Sequence, residues 1–153
     1  MMIRWLRPTA QFMLSALFLL ACVTAGAAFQ LVSEQEAAYP DDPYQRRRGA
    51  PTAGPQIEVV SPALSALVTS PFRLKIRFKA HGGAAVDRDS ITITYKKIPA
   101  VDVTQRINGF IVGDDIDIAE AELPAGTHPF EVNVRDSRGR SAAPLFIRVS
   151  ITK

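Results

Sequence analysis

Three aspartates are the side chains whose type and spacing come closest to a site. Asp87 and Asp89 flank Arg88, and Asp136 closes an apolar-alternating run further along the chain. Carboxylates from two loops that meet could bind calcium, a hard cation that takes about six to eight oxygen ligands. The same residues also fit a polar loop. Arg88 stands between the two acids and Ser90 follows them, and such side chains satisfy nearby backbone groups. His81 and His128 are the only histidines, too few and too far apart for a metal centre. No nucleophile elbow, phosphate-binding glycine loop, paired-cysteine motif or His-x-x-x-His spacing occurs. Nucleophilic and metal-assisted catalysis lack their parts, so the chain is expected to be no enzyme and to use no cofactor.

The one thiol suggests chemistry of another kind. Cys22 lies within an apolar N-terminal segment, and as the only cysteine it cannot form an intramolecular disulfide. Residues 1–11 carry Arg4 and Arg7 and no acid, residues 12–23 read FMLSALFLLACV, and Ala25, Gly26, Ala27 and Ala28 follow. This is the basic start, apolar middle and small-residue exit of a secretory leader, with cleavage expected after Ala27. Two other fates use the same residues. Leu19-Leu20-Ala21-Cys22 resembles a bacterial lipobox, in which the Cys22 thiol is acylated and becomes the new N-terminus. Alternatively, residues 12–32, 21 in a row without a charge, could stay as a helix of about 31 Å, enough to span a bilayer with the arginines cytoplasmic. Each fate places the remainder in the periplasm or outside the cell, touching the membrane only through the N-terminus.

The overall charge adds little. There are 18 basic and 15 acidic residues, a net +3, but Arg4 and Arg7 belong to the leader, and without them the balance is 16 to 15. No nucleic-acid partner is expected from so small an excess. Arg46-Arg47-Arg48 is the one further basic cluster, set near Glu34, Glu36, Asp41 and Asp42. It reads as a solvated charge run, or as a contact to anionic lipid or cell-wall polymer. Residues 33–56 show no apolar period and contain Pro40, Pro43, Pro51 and Pro55, the composition of a disordered tether. The expected division is therefore a leader or anchor over 1–27, a disordered linker over 28–56, and one folded domain over 57–153.

Within that domain the apolar period is two. The clearest strand runs from Phe72 to Lys79, with Phe72, Leu74, Ile76 and Phe78 on one face and Arg73, Lys75, Arg77 and Lys79 on the other. Further strands are expected at 57–60, at 90–96, around Val101 and Val103, at 107–112, from Ile116 and Ile118 towards Leu123, at 130–136 and at 145–151. No segment after Gln56 has a helical period. Phe78, Ile93, Val132 and Val149 should share one core, whereas Phe146 should face outward.

About seven short strands separated by turns point to an all-β, two-sheet antiparallel sandwich. Leu123-Pro124-Ala125-Gly126-Thr127-His128, the alternating run to Asp136 and then Ser137-Arg138-Gly139-Arg140 resemble the E–F corner, F strand and F–G turn of bacterial immunoglobulin-like and fibronectin type III-like domains. The opening of the domain, with Ser61-Pro62 and Ser70-Pro71 around an apolar patch, is similar to the first strand of such modules. The resemblance spans 57–153 and implies a fold more than a function. It implies that the loops bearing Asp87, Asp89 and Asp136 lie at one end. It also implies that His128 stands where a corner tyrosine often sits and hydrogen-bonds backbone across the turn. Finally, it pairs the second strand with the fifth, setting the basic stripe against Asp115 and Asp117, so that the stripe is neutralised rather than free for an anionic ligand. Asp114, Glu120 and Glu122 belong to the same acidic segment.

The expected function is that of an exported, non-catalytic module binding another envelope or extracellular protein, or a polysaccharide. The alternative is a lipoprotein acylated at Cys22 that serves as a structural accessory of an envelope complex. A polysaccharide binder would present coplanar exposed aromatics, for which Tyr95, Phe110 and Phe146 are the available side chains. A protein binder could use an open sheet edge.

Overall fold

Alternating apolar residues can all be buried only if two sheets face one another, and the chain solves the problem in that way. The computed structural model describes residues 28–43, 52–64 and 66–152. The expected leader with Cys22, and the Arg46-Arg47-Arg48 run, lie outside the described residues. One five-stranded sheet contains β1 (Phe29–Gln30), β2 (Gln56–Ser61), β4 (Phe72–Lys79), β7 (Ile111–Val112) and β8 (Asp115–Glu122), in the order β1-β8-β4-β2 with β7 also on β8. The second contains β3 (Leu67–Thr69), β5 (Val86–Tyr95), β6 (Val101–Asp102), β9 (Gly126–Asp136) and β10 (Leu145–Thr152), in the order β3-β10-β9-β5-β6.

Phe78, Ile93, Val132 and Val149 lie in a single core cluster, at 3% exposure or less, as the alternation requires. Residues of both sheets, among them Leu74, Ile93, Val132 and Val149, surround a void of only about 10 Å³, too small for a ligand. Among the described residues no buried side-chain polar atom lacks a partner.

Four expectations need correction. The sheets are mixed rather than antiparallel, since β1 runs parallel to β8 and β3 parallel to β10. Both parallel partners are short edge strands of two or three residues, too brief to leave a signature in the sequence. The chain over 107–112 is not one strand: the single-turn helix α2 (Thr104–Ile107) and a 3-10 turn at Asn108–Phe110 precede β7. Asp87 and Asp89 do not sit in a loop but within β5, which loses register with β9 between Asp87 and Thr92.

The fourth correction concerns the stretch placed in a disordered linker. Phe29 and Gln30 pair with Ala121 and Glu122 of β8, and Leu31 and Val32 are 1% and 0% exposed. Burying each such side chain contributes about 1.5–3 kcal/mol, which offsets part of the ~1–2 kcal/mol per residue that ordering the backbone costs. Ser33 then caps the one-turn helix α1 (Glu34–Ala37) in a capping box with Glu36. Beyond α1, the Ile98 N–H donates to the Pro40 carbonyl and Lys97 Nζ lies 2.6 Å from Asp41. Residues 28–43 thus form a strap from β8 in one sheet to the end of β5 in the other. Gly54 is fixed as well: a Cβ there would lie 2.2 Å from the Ser141 carbonyl oxygen, so only glycine permits this approach.

Candidate functional site

The charged outer face of the first sheet is the largest organised polar surface predicted from the sequence. Lys75 stands opposite Asp117 and Arg77 opposite Asp115 across β4 and β8. Arg73 grips Asp117 with two bonds of 2.8 and 2.7 Å, and Lys75 Nζ lies 3.2 Å from both Asp115 and Asp117. Arg77 reaches Asp115 at 3.2 Å, and Lys79 reaches Glu58 of β2 at 2.7 Å. Hydrogen bonds from Arg73, outweighing partial burial, hold the Asp117 carboxyl well below the usual carboxylate range. Burial alone would raise Asp115, but Arg77 and Lys75 reverse the sign and keep it low. All four cations of the stripe therefore have carboxylate partners, and an anionic ligand would have to displace them.

The three aspartates offered for calcium are used otherwise. Asp136 opposes Val86 on the buried side of β9, while Asp87 opposes Arg135 on the outer side, so strand alternation points the two carboxylates apart. The Asp136 side chain is fully buried, accepting 2.9 Å bonds from the amides of Arg138 and Arg140 and a 2.7 Å bond from Arg140 Nε. Burial works against its ionised form, yet these donors together keep its pKa below the ordinary value. It is the internal cap of the turn from β9 to β10. Asp89 is exposed, and Ser90 does the backbone work suggested by the polar-loop reading: its hydroxyl accepts from the Arg135 N–H at 2.8 Å and donates to the Asp87 carbonyl at 2.6 Å. Among the described residues no group of three or more His, Cys, Asp or Glu side chains is arranged to hold a metal.

His128 behaves as its position in the corner implies. Nε2 lies 2.8 Å from the Pro124 carbonyl and Nδ1 lies 2.9 Å from the Tyr95 hydroxyl. A carbonyl can only accept, so Nε2 carries the proton and Nδ1 accepts from Tyr95. Burial pushes the Tyr95 phenol up to about 12 and pushes the His128 imidazole below its ordinary value. His81, by contrast, is exposed. The Tyr95–His128 pair is a neutral, buried relay between two strands of the second sheet, with Lys97 set 5.8 Å from the Tyr95 ring centre.

The strap contributes a polar cluster that sequence reasoning missed. Arg106 of α2 donates to both oxygens of Glu36 at 2.9 and 2.6 Å and to the Leu31 carbonyl at 2.9 Å. Hydrogen bonds from Arg106 lead the causes that lower Glu36 from 4.5 to about 2. The residues are 70 positions apart, and only the capping-box pattern of Ser33 and Glu36 could have flagged the helix.

The aromatics available for a polysaccharide surface do not share one open face. Tyr95 is wholly buried, Phe110 packs tilted against Phe29 with ring centres 4.5 Å apart, and Phe146 is partly buried, so these aromatics form no flat platform. Exposed apolar side chains gather instead at Val60, Leu64 and Leu67, where the chain leaves β2 at one sheet's edge and enters β3 at the other's. Comparison with protein-family models, curated proteins and solved structures found no match. No helix among the described residues is long and apolar enough to cross a membrane.

Proposed function

We propose that the chain is an exported, non-catalytic module of the cell envelope that acts by binding another envelope or extracellular protein. The observation that carries this reading is that the residues just after the expected cleavage site are already part of the fold. Ala28 directly follows the expected cleavage site, and Phe29 already belongs to β1. With Leu31 and Val32 committed to the core, an uncleaved apolar helix would have residues 12–28 at most, 17 residues or about 26 Å, short of the ~30 Å hydrocarbon thickness. That favours removal of the leader over its retention as an anchor.

The strand order supports an immunoglobulin-like assignment. Taken as strands A to G, β2, β4, β8 and β7 follow the A-B-E-D sheet, and β6, β5, β9 and β10 follow C′-C-F-G. A protein partner is favoured over a polysaccharide because the large aromatics are packed rather than presented. The lipoprotein alternative keeps one specific observation in its favour, since the only cysteine falls in the lipobox-like Leu19-Leu20-Ala21-Cys22.

Intact-mass measurement on the protein from its native envelope tests the reading. A lipid-free chain beginning at Ala28 is the expected result. A diacylated or triacylated chain beginning at Cys22 would replace it with the lipoprotein reading, and a chain keeping Met1 in the cytosolic fraction would overturn export altogether. Co-purification from the same fraction then identifies the partner.

A further inference from the structure

The outer face of the second sheet opens around Arg135. On one flank β5 loses register with β9, so that residues 88–91 fall opposite Val134 alone, between the pairs Asp87–Arg135 and Thr92–Asn133. On the other flank β10 begins only at Leu145, opposite Val132. The chain before it is held to β9 by the Ser141–Arg135 bridge and by the Ala142 N–H, which donates to the Val134 carbonyl. The sheet is therefore spread on both sides of residues 133–135, and a trough of about 660 Å³ results, lined by Ser90, Thr92, Asn133, Arg135, Ser141 and Pro144. Both walls are fixed. The Ser90 hydroxyl accepts from the Arg135 N–H and donates to the Asp87 carbonyl, and the Thr52 hydroxyl donates to the Ser141 carbonyl at 2.7 Å.

Arg135 is the one charged side chain among those that line the trough. It is exposed, and among the described residues it forms no ion pair, although Asp87 stands opposite it in register. The four cations of the β4 stripe, by contrast, all hold carboxylates. Glu131, further along the same face, is engaged by Lys96 and Asn133. The hydroxyls of Thr92 and Ser141 make no hydrogen bond among the described residues, so they too are available to a ligand.

We propose that this trough binds a carboxylate of an acidic peptide segment presented by a partner protein, with Arg135 as the anchoring cation; the proposal rests on the protein-binding reading above. Charge selects the occupant. A guanidinium offers parallel N–H donors that match the two oxygens of a carboxylate, the Thr92 and Ser141 hydroxyls can add further donors, and no lining carboxylate repels an anion. An apolar segment would cover these polar groups without pairing them, at a cost for each. A neutral sugar ring would find no aromatic side chain among the lining residues on which to stack. With Ser90 and Thr52 holding the walls, the site needs little ordering when the ligand arrives.

An NMR titration of the full chain in nonionic detergent micelles tests the site. The probes are a tetraglutamate peptide with blocked ends and its tetraglutamine counterpart, followed through the amide signals of Thr92, Asn133 and Arg135. Tetraglutamate should shift these signals and tetraglutamine should not. Arg135→Gln should weaken tetraglutamate binding about tenfold or more. Arg138→Gln removes the same charge from the exposed turn between β9 and β10, and should leave binding within about twofold. Equal losses in the two variants, or trough amides that do not respond to tetraglutamate, would overturn the proposal. A response to oligogalacturonate in place of tetraglutamate would overturn it too, by making the occupant an acidic polysaccharide. Co-purification from the native envelope with wild-type and Arg135→Gln chains separates the two levels of the argument. A partner retained equally by both overturns the trough as its site and leaves the protein-binding reading standing, whereas a partner found with neither overturns that reading itself.

Discussion

Glu36→Gln is the sharpest perturbation of the strap, because it preserves shape and one capping oxygen while removing the charge and one of the two acceptors that face Arg106. A fall in pKa from 4.5 to about 2 would correspond to about 3 kcal/mol if the whole shift appeared as stability. The Arg106 side chain is 36% exposed and the Glu36 side chain 15%, so solvent screens the pair, and about 1–2 kcal/mol is expected at neutral pH. The sign follows from the direction of the shift. A carboxyl depressed by folding stabilises fully above its unfolded value near 4.5, and that contribution is lost as pH falls from there through about 2. Urea melts of the two proteins from pH 7 to pH 3 should therefore show a gap of about 1–2 kcal/mol that narrows below about pH 4.5, since glutamine does not titrate. A gap independent of pH would refute the ion-pair account, and no gap at pH 7 would mean that the strap does not contribute to the folding equilibrium.

Other perturbations test other parts of the fold. His128 is depressed by burial, so wild-type stability should decline as pH falls below about 6.5 towards its folded value; His128→Phe should abolish that slope in pH-dependent melts while costing about 1–3 kcal/mol through the unpaired Tyr95 hydroxyl and Pro124 carbonyl. Lys75→Glu sets like charges beside Asp115 and Asp117 and should cost about 1 kcal/mol; Asp117→Lys in the same chain should recover part of it, and strictly additive losses would contradict the paired ladder. Val132, 0% exposed, tests the register: circular dichroism should find no cooperative unfolding for Val132→Asp, and a normally folding variant would exclude the observed strand phase.

The sequence by itself determined the β class and the inward faces of β4, β9 and β10, which are local properties, because a period of two assigns each side chain to a face and the turn residues at Gly126 and Gly139, with φ of 134° and 76°, mark where strands end. The ladder of Arg73, Lys75 and Arg77 against Asp115 and Asp117 and the role of His128 followed from the resemblance to immunoglobulin-like domains, since strand pairing over about 40 positions has no local signature. The path of residues 28–43 was decided only by the tertiary structure. Leu31 and Val32 continue an apolar N-terminal run, and hydropathy alone does not say which residues of such a run enter a core. The prolines and charges after them compose like a tether, yet they are held by Arg106 and Lys97, partners brought close only once both sheets have formed. Asp87, Asp89 and Asp136 diverged from expectation for the same reason: whether carboxylates meet or turn their backs depends on strand register, and a register irregularity inside β5 is invisible until β9 lies beside it.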